Sequence, residues 1–165
     1  MSKSNFDKIE INADTLHKTA IQNITWKNIT EEVNGIVAKA GLVEGSVFLK
    51  ILHTTAVIIL NEPEQGLVEY DIPRLLNRLC PKKSPNGEYK HDSAERLVKM
   101  PGEPKNAPSH LRSIMLNCTG GVEVLVHESE LVLGTFERIL FFDLDPDNHY
   151  TREIAFQIRH LCLKV

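Results

Sequence analysis

The stretch SVFLKILHTTAVIIL, residues 46–60, decides the fold class. Ser46–Leu52 and Ala56–Leu60 are short, rich in β-forming residues and largely apolar, which is typical of strands that are buried on both faces. Between these two segments lies His53-Thr54-Thr55. We therefore expect two core strands, with a histidine placed where the first of them ends.

Upstream of this stretch, the pattern changes from strands to a helix. Ile9–Asn12 and Leu16–Ile24 alternate in part between apolar and polar residues, and both are predicted as strands. Apolar residues then recur at helical spacing over Thr30–Ala40. Asn28 precedes this segment in the manner of a capping box, and Gly41 stands where a C-cap glycine belongs. These signals predict a helix over Thr30–Ala40.

Downstream, two further helices and a second set of strands are predicted. Ile72–Leu79 has the apolar spacing of an amphipathic helix, and Ala107–Leu116 carries Pro108 near its favoured first-turn position. Cys80–Pro104 contains four prolines and many charges, which predicts a long loop. The remaining predicted strands are Val122–His127, Leu131–Leu133, Arg138–Leu144 and Arg152–Lys164. Strands at both ends with two to three helices between them predict an α+β fold with mostly antiparallel pairing.

Composition narrows the function classes. The 165 residues suit one domain, with 42% apolar residues, 25% charged residues and a net charge of -3. Because no basic patch is visible, we expect no nucleic-acid partner. The apolar runs are too short to span a bilayer and the N-terminus has no secretory signal, so we expect no membrane partner. Three widely spaced cysteines without a C-x-x-C pair are typical of a reduced, cytoplasmic protein.

Three histidines stand in contexts that suggest chemistry. His53 ends an apolar strand, His91 lies in the long loop, and His110 stands in the first turn of the third helix. A helix N-terminus lowers the pKa of a nearby histidine, and a metal binds the neutral form of imidazole. Three histidines from separate elements would give a three-ligand site with an open position, the pattern of catalytic zinc. The alternative is a hydrogen-bonded core histidine, a solvated loop histidine and a helix-start residue that share no site.

Two carboxylates are candidates for a general base or for an orienting partner of a metal ligand. Asp92 follows His91 directly, and Glu62 comes just after the second core strand. If the two core strands paired as a hairpin, His53 would lie in the turn and Glu62 at the far end. The sequence therefore does not by itself bring Glu62 to His53.

Several segments together resemble one protein family. HTTAVIILNE (53–62), YKHD (89–92), PSHLRSIML (108–116) and LVLGTFERI (131–139) are similar, in this order, to blocks of the secondary thiamine-phosphate synthase family, the YjbQ-like proteins. Asp71 and Arg74 of the second helix also resemble a pattern of that family. The resemblance covers the chain from about residue 20 to its last residue.

The resemblance implies a compact α+β domain with a large, curved, mostly antiparallel sheet, assembled as a homotrimer. It also implies a divalent metal, with zinc expected, and a weak thiamine-phosphate synthase activity. That reaction joins a pyrimidine diphosphate to a thiazole phosphate and releases pyrophosphate. The residues nominated are His53, His91 and His110 as metal ligands, Glu62 and Asp92 as catalytic groups, and Thr54, Thr55, Arg152 and Arg112 for an anionic small-molecule substrate. For Arg152, the alternative is a surface arginine that pairs with Glu153 or Asp147.

Three departures from the family pattern bear on the substrate. Phe136-Glu137 replaces Trp-Gln, residues 147–150 replace a glycine-rich segment, and the loop after His91 is longer. We expect a single YjbQ-like domain over residues 1–165, with a loop insertion near 93–105. The expected function is a metal-dependent enzyme acting on a small phosphorylated or heteroaromatic metabolite. A metal-assisted hydrolase and a non-enzymatic trimeric protein that binds a small anion are the alternatives.

Overall fold

The computed structural model describes residues 6–20, 24–85, 87, 89–148 and 151–161. Its strands are β1 (Phe6–Asn12), β2 (His17–Lys18), β3 (Thr25–Asn28), β4 (Gly45–Ile51), β5 (Ala56–Asn61), β6 (Gly121–His127), β7 (Glu130–Leu131), β8 (Arg138–Asp143) and β9 (Thr151–His160). Its α-helices are α1 (Thr30–Ala40), α2 (Ile72–Leu79), α3 (Ala94–Lys99) and α4 (Ala107–Leu116). Short 3-10 helices occupy Ala13–Thr15, Lys90–Asp92 and Pro146–Asn148, and a π-helical turn at Leu67–Asp71 precedes α2.

The strands form two antiparallel sheets. One sheet has the order β1-β9-β4-β6-β7, and the other has the order β2-β3-β8-β5. β4 pairs with β6 and β9, whereas β5 pairs with β8. The two core strands around His53 therefore do not form a hairpin, because each pairs with strands from the later part of the chain. The chain passes from one sheet to the other between them, and His53 lies in this crossing.

The four-stranded sheet is buried on both of its faces. Ile139 and Phe141 of β8 pack into a core shared with the five-stranded sheet and α1, and Leu140 and Phe142 pack into a second core with α2. Successive strand residues point to opposite faces, so one continuous apolar run supplies both cores. Each fully buried side chain of this size contributes about 1.5–3 kcal/mol. The two sheets and their helices therefore fold as one α+β domain, as the sequence predicts.

β4 departs from the expectation of a strand buried on both faces. Val47, Leu49 and Ile51 point into the core between the sheets, but Lys50 is exposed on the other face. β4 lies in the outer, five-stranded sheet, whose second face is not covered by a helix in the described residues. Most of the apolar content of β4 therefore lies on its inner face, and Phe48 is half-buried on the same outer face as Lys50.

Three helices agree with the prediction. α1, α2 and α4 have the bounds predicted for the first, second and third helices. Gly41 ends α1 in the left-handed conformation, with φ of 63°, where glycine has no steric cost. No helix in the described ranges is long and apolar enough to span a bilayer.

The predicted long loop was wrong in part, because it contains α3 and the 3-10 helix at Lys90–Asp92. α3 begins where the Ser93 Oγ accepts a hydrogen bond from the Arg96 N–H at 3.4 Å, a serine cap within the proline-rich segment. The described residues thus form four α-helices rather than two or three. Whether residues 93–105 are an insertion stays a prediction.

Strand bounds near both ends of the chain also differ from the prediction. Of the predicted strand Leu16–Ile24, only β2 is extended and paired, and residues 21–23 lie outside the described ranges. β3 was not predicted; its Trp26 is buried against α2 and its backbone pairs with β8. β7 covers Glu130–Leu131 only, and β9 ends at His160, with residues 162–164 outside the described ranges.

Candidate functional site

An open groove lies between the crossing from β4 to β5 and helix α4. Its walls include Lys50, His53 and Thr54 on the sheet side, and His110, Ser113 and Ile114 on the helix side. We call this feature the histidine groove. Two of the three histidines nominated from the sequence therefore lie in one groove, although 57 positions separate them in the chain.

Helix α4 is held beside β5 by three polar side chains on one of its faces. The Ser109 Oγ donates to the Leu144 carbonyl at 2.6 Å, and the Ser113 Oγ donates to the Ala56 carbonyl at 3.4 Å. One turn further, the Asn117 Nδ2 donates to the Ile58 carbonyl at 2.7 Å. Residues four apart share a helix face, and β5 ends the strand order of its sheet, so Ser113 and Asn117 satisfy carbonyls along this edge. Ser109 binds the residue that follows β8 instead. These hydrogen bonds therefore fix the position of His110 relative to the sheet.

His53 is oriented by its neighbour Thr55. The His53 Nδ1 accepts a hydrogen bond from the Thr55 N–H at 3.2 Å and lies 3.0 Å from the Thr55 Oγ1. Because Nδ1 is an acceptor here, the proton of the neutral ring is on Nε2. A histidine that binds metal through Nε2 usually donates its Nδ1 proton instead. The geometry of His53 therefore favours a hydrogen-bond donor over a metal ligand.

His91 and His110 contact each other directly. Their ring centroids are 4.8 Å apart and the ring planes are inclined by 47°. The His91 Nδ1 lies 3.3 Å from the Asp92 Oδ1, which also accepts from the Ala107 N–H at 3.0 Å. Asp92 is buried and thus joins the 3-10 helix to the N-terminus of α4, where a carboxylate is favourable. Its position beside His91 suits an orienting partner, and that role stays a prediction.

His110 favours its neutral form. Burial lowers the pKa of His110, and the charges of His91 and Arg96 act in the same direction. The carboxylates of Asp145 and Asp92 oppose this shift, but they do not reverse it. At neutral pH the imidazole of His110 is therefore available to accept a proton or to bind a metal.

This lowered pKa predicts a pH-dependent stability. The folded protein binds the His110 proton less readily than the unfolded chain, whose histidine pKa is about 6.5. The stabilising effect is therefore complete above pH 6.5 and is lost as the pH falls below that value. We expect His110→Gln to lose less stability than the wild type between about pH 7 and pH 5 in urea unfolding. Equal losses in the two proteins would contradict this prediction.

Arg152 is buried, with 2% of its surface exposed, and not paired at the surface with Glu153 or Asp147. Its Nη2 donates to the Asp143 Oδ1 at 2.7 Å and lies 3.5 Å from the Thr55 Oγ1. Its Nε and Nη1 have no hydrogen-bond partner among the described residues. Arg152 thus lies behind His53, connected to it through Thr55, and retains two donors. The phosphate contact nominated for it stays a prediction.

Arg112 makes a structural contact. Its Nε and Nη2 both donate to the Cys80 carbonyl, at 3.0 and 2.7 Å, and burial lowers the pKa of its guanidinium. Arg112 therefore fixes the residue after α2 to α4. The substrate contact nominated for Arg112 stays a prediction.

The other nominated residues divide between the groove and the rest of the fold. Thr54 is exposed in the groove, whereas Thr55 is fully buried and contacts His53 and Arg152 instead of the groove surface. Glu62 is exposed just beyond β5, whose six residues place it about 20 Å from His53. The single chain therefore does not bring Glu62 to the histidines.

The nominated metal ligands do not form a closed site. Within residues 6–20, 24–85, 87, 89–148 and 151–161, no group of three or more His, Cys, Asp or Glu side chains is arranged to hold a metal ion. His91 and His110 are close enough to bind one metal ion together. The His53 Nδ1, in contrast, accepts a hydrogen bond from the Thr55 N–H. The described part of the chain therefore brings two of the three nominated ligands into contact, and the three-histidine metal site stays a prediction.

Four residues of the site were not nominated from the sequence. Asp143 holds Arg152, and Asp145 accepts from the Asn106 Nδ2 at 2.7 Å just before α4. Arg96 lies near enough to His110 to affect its pKa. Asp143 and Asp145 stand two positions apart at the end of an apolar strand, and this pattern could have indicated them as site residues. The contribution of Arg96 depends on α3, which the prolines of this segment concealed.

Comparison with known proteins gives one consistent family. The family model described as UPF0047 protein YjbQ-like matches residues 14–160. A UPF0047 protein of Archaeoglobus fulgidus is 34% identical over 118 residues, which cover 72% of this chain and 79% of that protein. A UPF0047 protein of Methanothermobacter thermautotrophicus is 28% identical over 145 residues, covering 87% and 91%.

Solved structures show the same fold. A YbjQ-like protein of unknown function from Sulfolobus solfataricus superposes with a TM-score of 0.73 at 28% identity, over 94% of this chain and 96% of that chain. A hypothetical protein from Aeropyrum pernix gives a TM-score of 0.71 at 25% identity, over 94% and 98%. The YjbQ-like part of the sequence resemblance is therefore confirmed. None of these descriptions names thiamine-phosphate synthase or another activity.

Proposed function

The chain belongs to the UPF0047 family of YjbQ-like proteins, and on that premise we propose that its histidine groove is an enzyme site for a small anionic metabolite. The carrying observation is the contact of His91 with a neutral His110, beside a groove that His53 also lines. Thiamine-phosphate synthase-like transfer, with release of pyrophosphate, is the nearest named reaction. A cytoplasmic location belongs to the same proposal.

The groove supplies the groups that general acid–base chemistry needs. A neutral His110 accepts a proton from the ligand, because its pKa lies below the usual value for histidine. His91 contacts His110 and disfavours the positive charge that forms there, whereas the carboxylates of Asp145 and Asp92 favour it. His53 offers its Nε2 proton as a donor to an anionic oxygen. One accepting and one donating histidine thus face the same groove.

The shape of the ligand follows from the remaining walls. Ile51 and Ala56 on the sheet side and Ile114 on the helix side give the groove apolar surface, with Ile114 62% exposed, and Lys50 adds a cation. An apolar wall with a few placed polar groups is the usual composition of a small-molecule site. A heteroaromatic or aliphatic body carrying a phosphate or carboxylate fits this arrangement.

A divalent metal fits only the His91 and His110 part of this site. Their contact and the neutral state of His110 suit two ligands, but His53 does not complete a three-histidine zinc site in the single chain. Bound zinc would supply a Lewis acid for a leaving diphosphate or for a hydrolytic water. The roles of His110 as proton acceptor and of His53 as hydrogen-bond donor do not depend on bound zinc.

Turnover assays separate the candidate functions. The purified protein is incubated with a pyrimidine diphosphate and a thiazole phosphate, and pyrophosphate release is measured with and without added zinc. Release supports the transferase, and hydrolysis of phosphate monoesters only with zinc supports the metal-assisted hydrolase. Stoichiometric binding of phosphate without turnover supports the non-enzymatic anion-binding protein. A protein that neither turns over nor binds these compounds would contradict the proposed site.

A homotrimer belongs to the same proposal and has its own test. Ile114 and Met115 of α4 and Leu75 and Leu79 of α2 are large apolar side chains left exposed in the single chain. Apolar surface of this kind is commonly covered in an assembly, and a cyclic one would also cover sheet edges. We expect sedimentation at micromolar concentration to give three times the chain mass of 18.6 kDa. A species of one chain mass would contradict the prediction.

A further inference from the structure

Lys50 gives the histidine groove a permanent positive charge. Among the described residues that line the groove, it is the only lysine or arginine, and none of them is an aspartate or a glutamate. Lys50 is exposed on the outer face of the five-stranded sheet, so a ligand in the groove can reach its ammonium. A cleft that is lined by one sign of charge attracts ligands of the opposite sign.

The register of the sheet leaves Lys50 without an acidic neighbour on either side. Its cross-strand partners are Gly121 on β6 and Ala155 on β9, and neither has a side chain that can pair with an ammonium. An acidic residue cannot replace Gly121 without a shift of the backbone, because a Cβ there would lie 2.6 Å from the Leu49 carbonyl oxygen. The sheet therefore keeps carboxylates away from both sides of Lys50.

The carboxylates that stand diagonally to Lys50 already have cationic partners. They are Glu123 on β6 and Glu153 on β9. Glu123 pairs with Arg159 at 2.8 Å, and Glu153 pairs with Lys8 at 3.0 Å. Within the described strands, Lys50 is therefore the cation of this face that has no ion pair.

The ammonium of Lys50 lies at the end of the groove that is formed by the turn after α4. A Cβ built on Gly120, in this turn, would lie 3.9 Å from the Lys50 Nζ. His110 stands near the other end of α4, seven residues before Asn117 and thus about 10 Å along the helix axis. A ligand that contacts both Lys50 and His110 therefore spans about this length and passes Ile114.

We propose that Lys50 is a specificity-determining residue of the histidine groove and that its ammonium binds a phosphate group of the ligand. This inference rests on the proposed function, because it places the anionic end of the same ligand at the turn after α4 and the reacting end at His110. Lysine binds phosphate as a point charge. A group with two negative charges therefore gains more from Lys50 than a carboxylate with one.

Calorimetric titration of inorganic phosphate into the whole protein at low ionic strength tests the inference. We expect Lys50→Met to weaken phosphate binding roughly 10-fold, the loss of one charge-assisted hydrogen bond. Lys50→Arg keeps the charge and should retain most of the affinity. Lys39→Met makes the same change at an exposed lysine of α1 that does not line the groove, and it should leave the affinity unaltered.

Two further measurements separate direct contact from a structural role. Phosphate should shift the backbone amide NMR signals of Thr119 and Gly120 in the wild type but not in Lys50→Met, and shifts confined to other parts of the chain would overturn the inference. A structural role for Lys50, as a cation near the C-terminal end of α4, predicts lower thermal stability in Lys50→Met with unaltered phosphate affinity. That result would also overturn it.

The failure of this inference can be distinguished from the failure of the proposed function. If Lys50→Met binds phosphate as tightly as the wild type while His110→Gln loses turnover, the enzyme site stands and only the role of Lys50 is lost. If the wild type binds no phosphate at millimolar concentration, the inference is overturned, and the pyrophosphate-release assay decides the proposed function separately.

Discussion

Replacing Arg152 by methionine is expected to destabilise the protein by about 3–5 kcal/mol, because it leaves Asp143 buried without its counter-charge. The Arg152 Nη2 and the Asp143 Oδ1 are 2.7 Å apart, and each side chain is only 2% exposed. A carboxylate left without its counter-charge at this depth must either stay ionised in a buried site or take up a proton, and both are costly. Equilibrium unfolding in urea measures the difference directly.

The same strand offers a matched control. Arg159 also lies on β9 and forms an ion pair of nearly equal length, 2.8 Å, with Glu123, but about half of each side chain is exposed. Surface ion pairs contribute about 0–1 kcal/mol, so Arg159→Met should change stability little. Adding Asp143→Leu to Arg152→Met should restore part of the stability, since no unpaired charge then remains. Equal effects of Arg152→Met and Arg159→Met would contradict the buried-pair interpretation.

The sequence predicted the helices and strands whose formation depends on residues within one segment. α1 and α4 were predictable to the residue because apolar spacing, a first-turn proline and Gly41 all act within one segment. β8 was predictable because its apolar run needs two cores. The separation of β4 and β5 into different sheets was not predictable, because strand partners are chosen by packing across the whole chain.

The features of the candidate site also differ in whether the sequence could predict them. The proximity of His91 to His110 could be proposed from the sequence, because each stood in a recognisable segment. The role of His53 could not, because its tautomer follows from the Thr55 N–H, whose direction is set by the crossing between sheets. The carbonyl that Arg112 contacts and the carboxylate that Arg152 contacts could not be predicted from the sequence, because burial sets both partners. The type of a side chain predicts which groups it can bind, and burial decides which of these groups it contacts.

Replacing His110 by glutamine is expected to lower turnover by roughly 10²- to 10⁴-fold, the usual contribution of a positioned acid–base group. Glutamine keeps a polar side chain of similar reach, but it cannot take up the proton that a neutral His110 accepts. Ser109, Ser113, Asn117 and Arg112 make the hydrogen bonds that hold α4, and His110 is not among them, so the helix should remain in place. Turnover of the substrate found in the pyrophosphate or phosphate-release assay is the measurement.

His127→Gln is the control for this last experiment. His127 is an exposed histidine of β6 that contacts Glu44 with 2.9 Å between Nδ1 and Oε1, and it does not line the histidine groove. The same chemical change there should leave turnover unaltered. A pH profile adds a second criterion, because wild-type kcat/KM should fall as His110 becomes protonated below the usual histidine pKa. Full activity in His110→Gln would remove His110 from the chemistry and leave the groove as a binding site, since an essential base cannot be replaced by an amide.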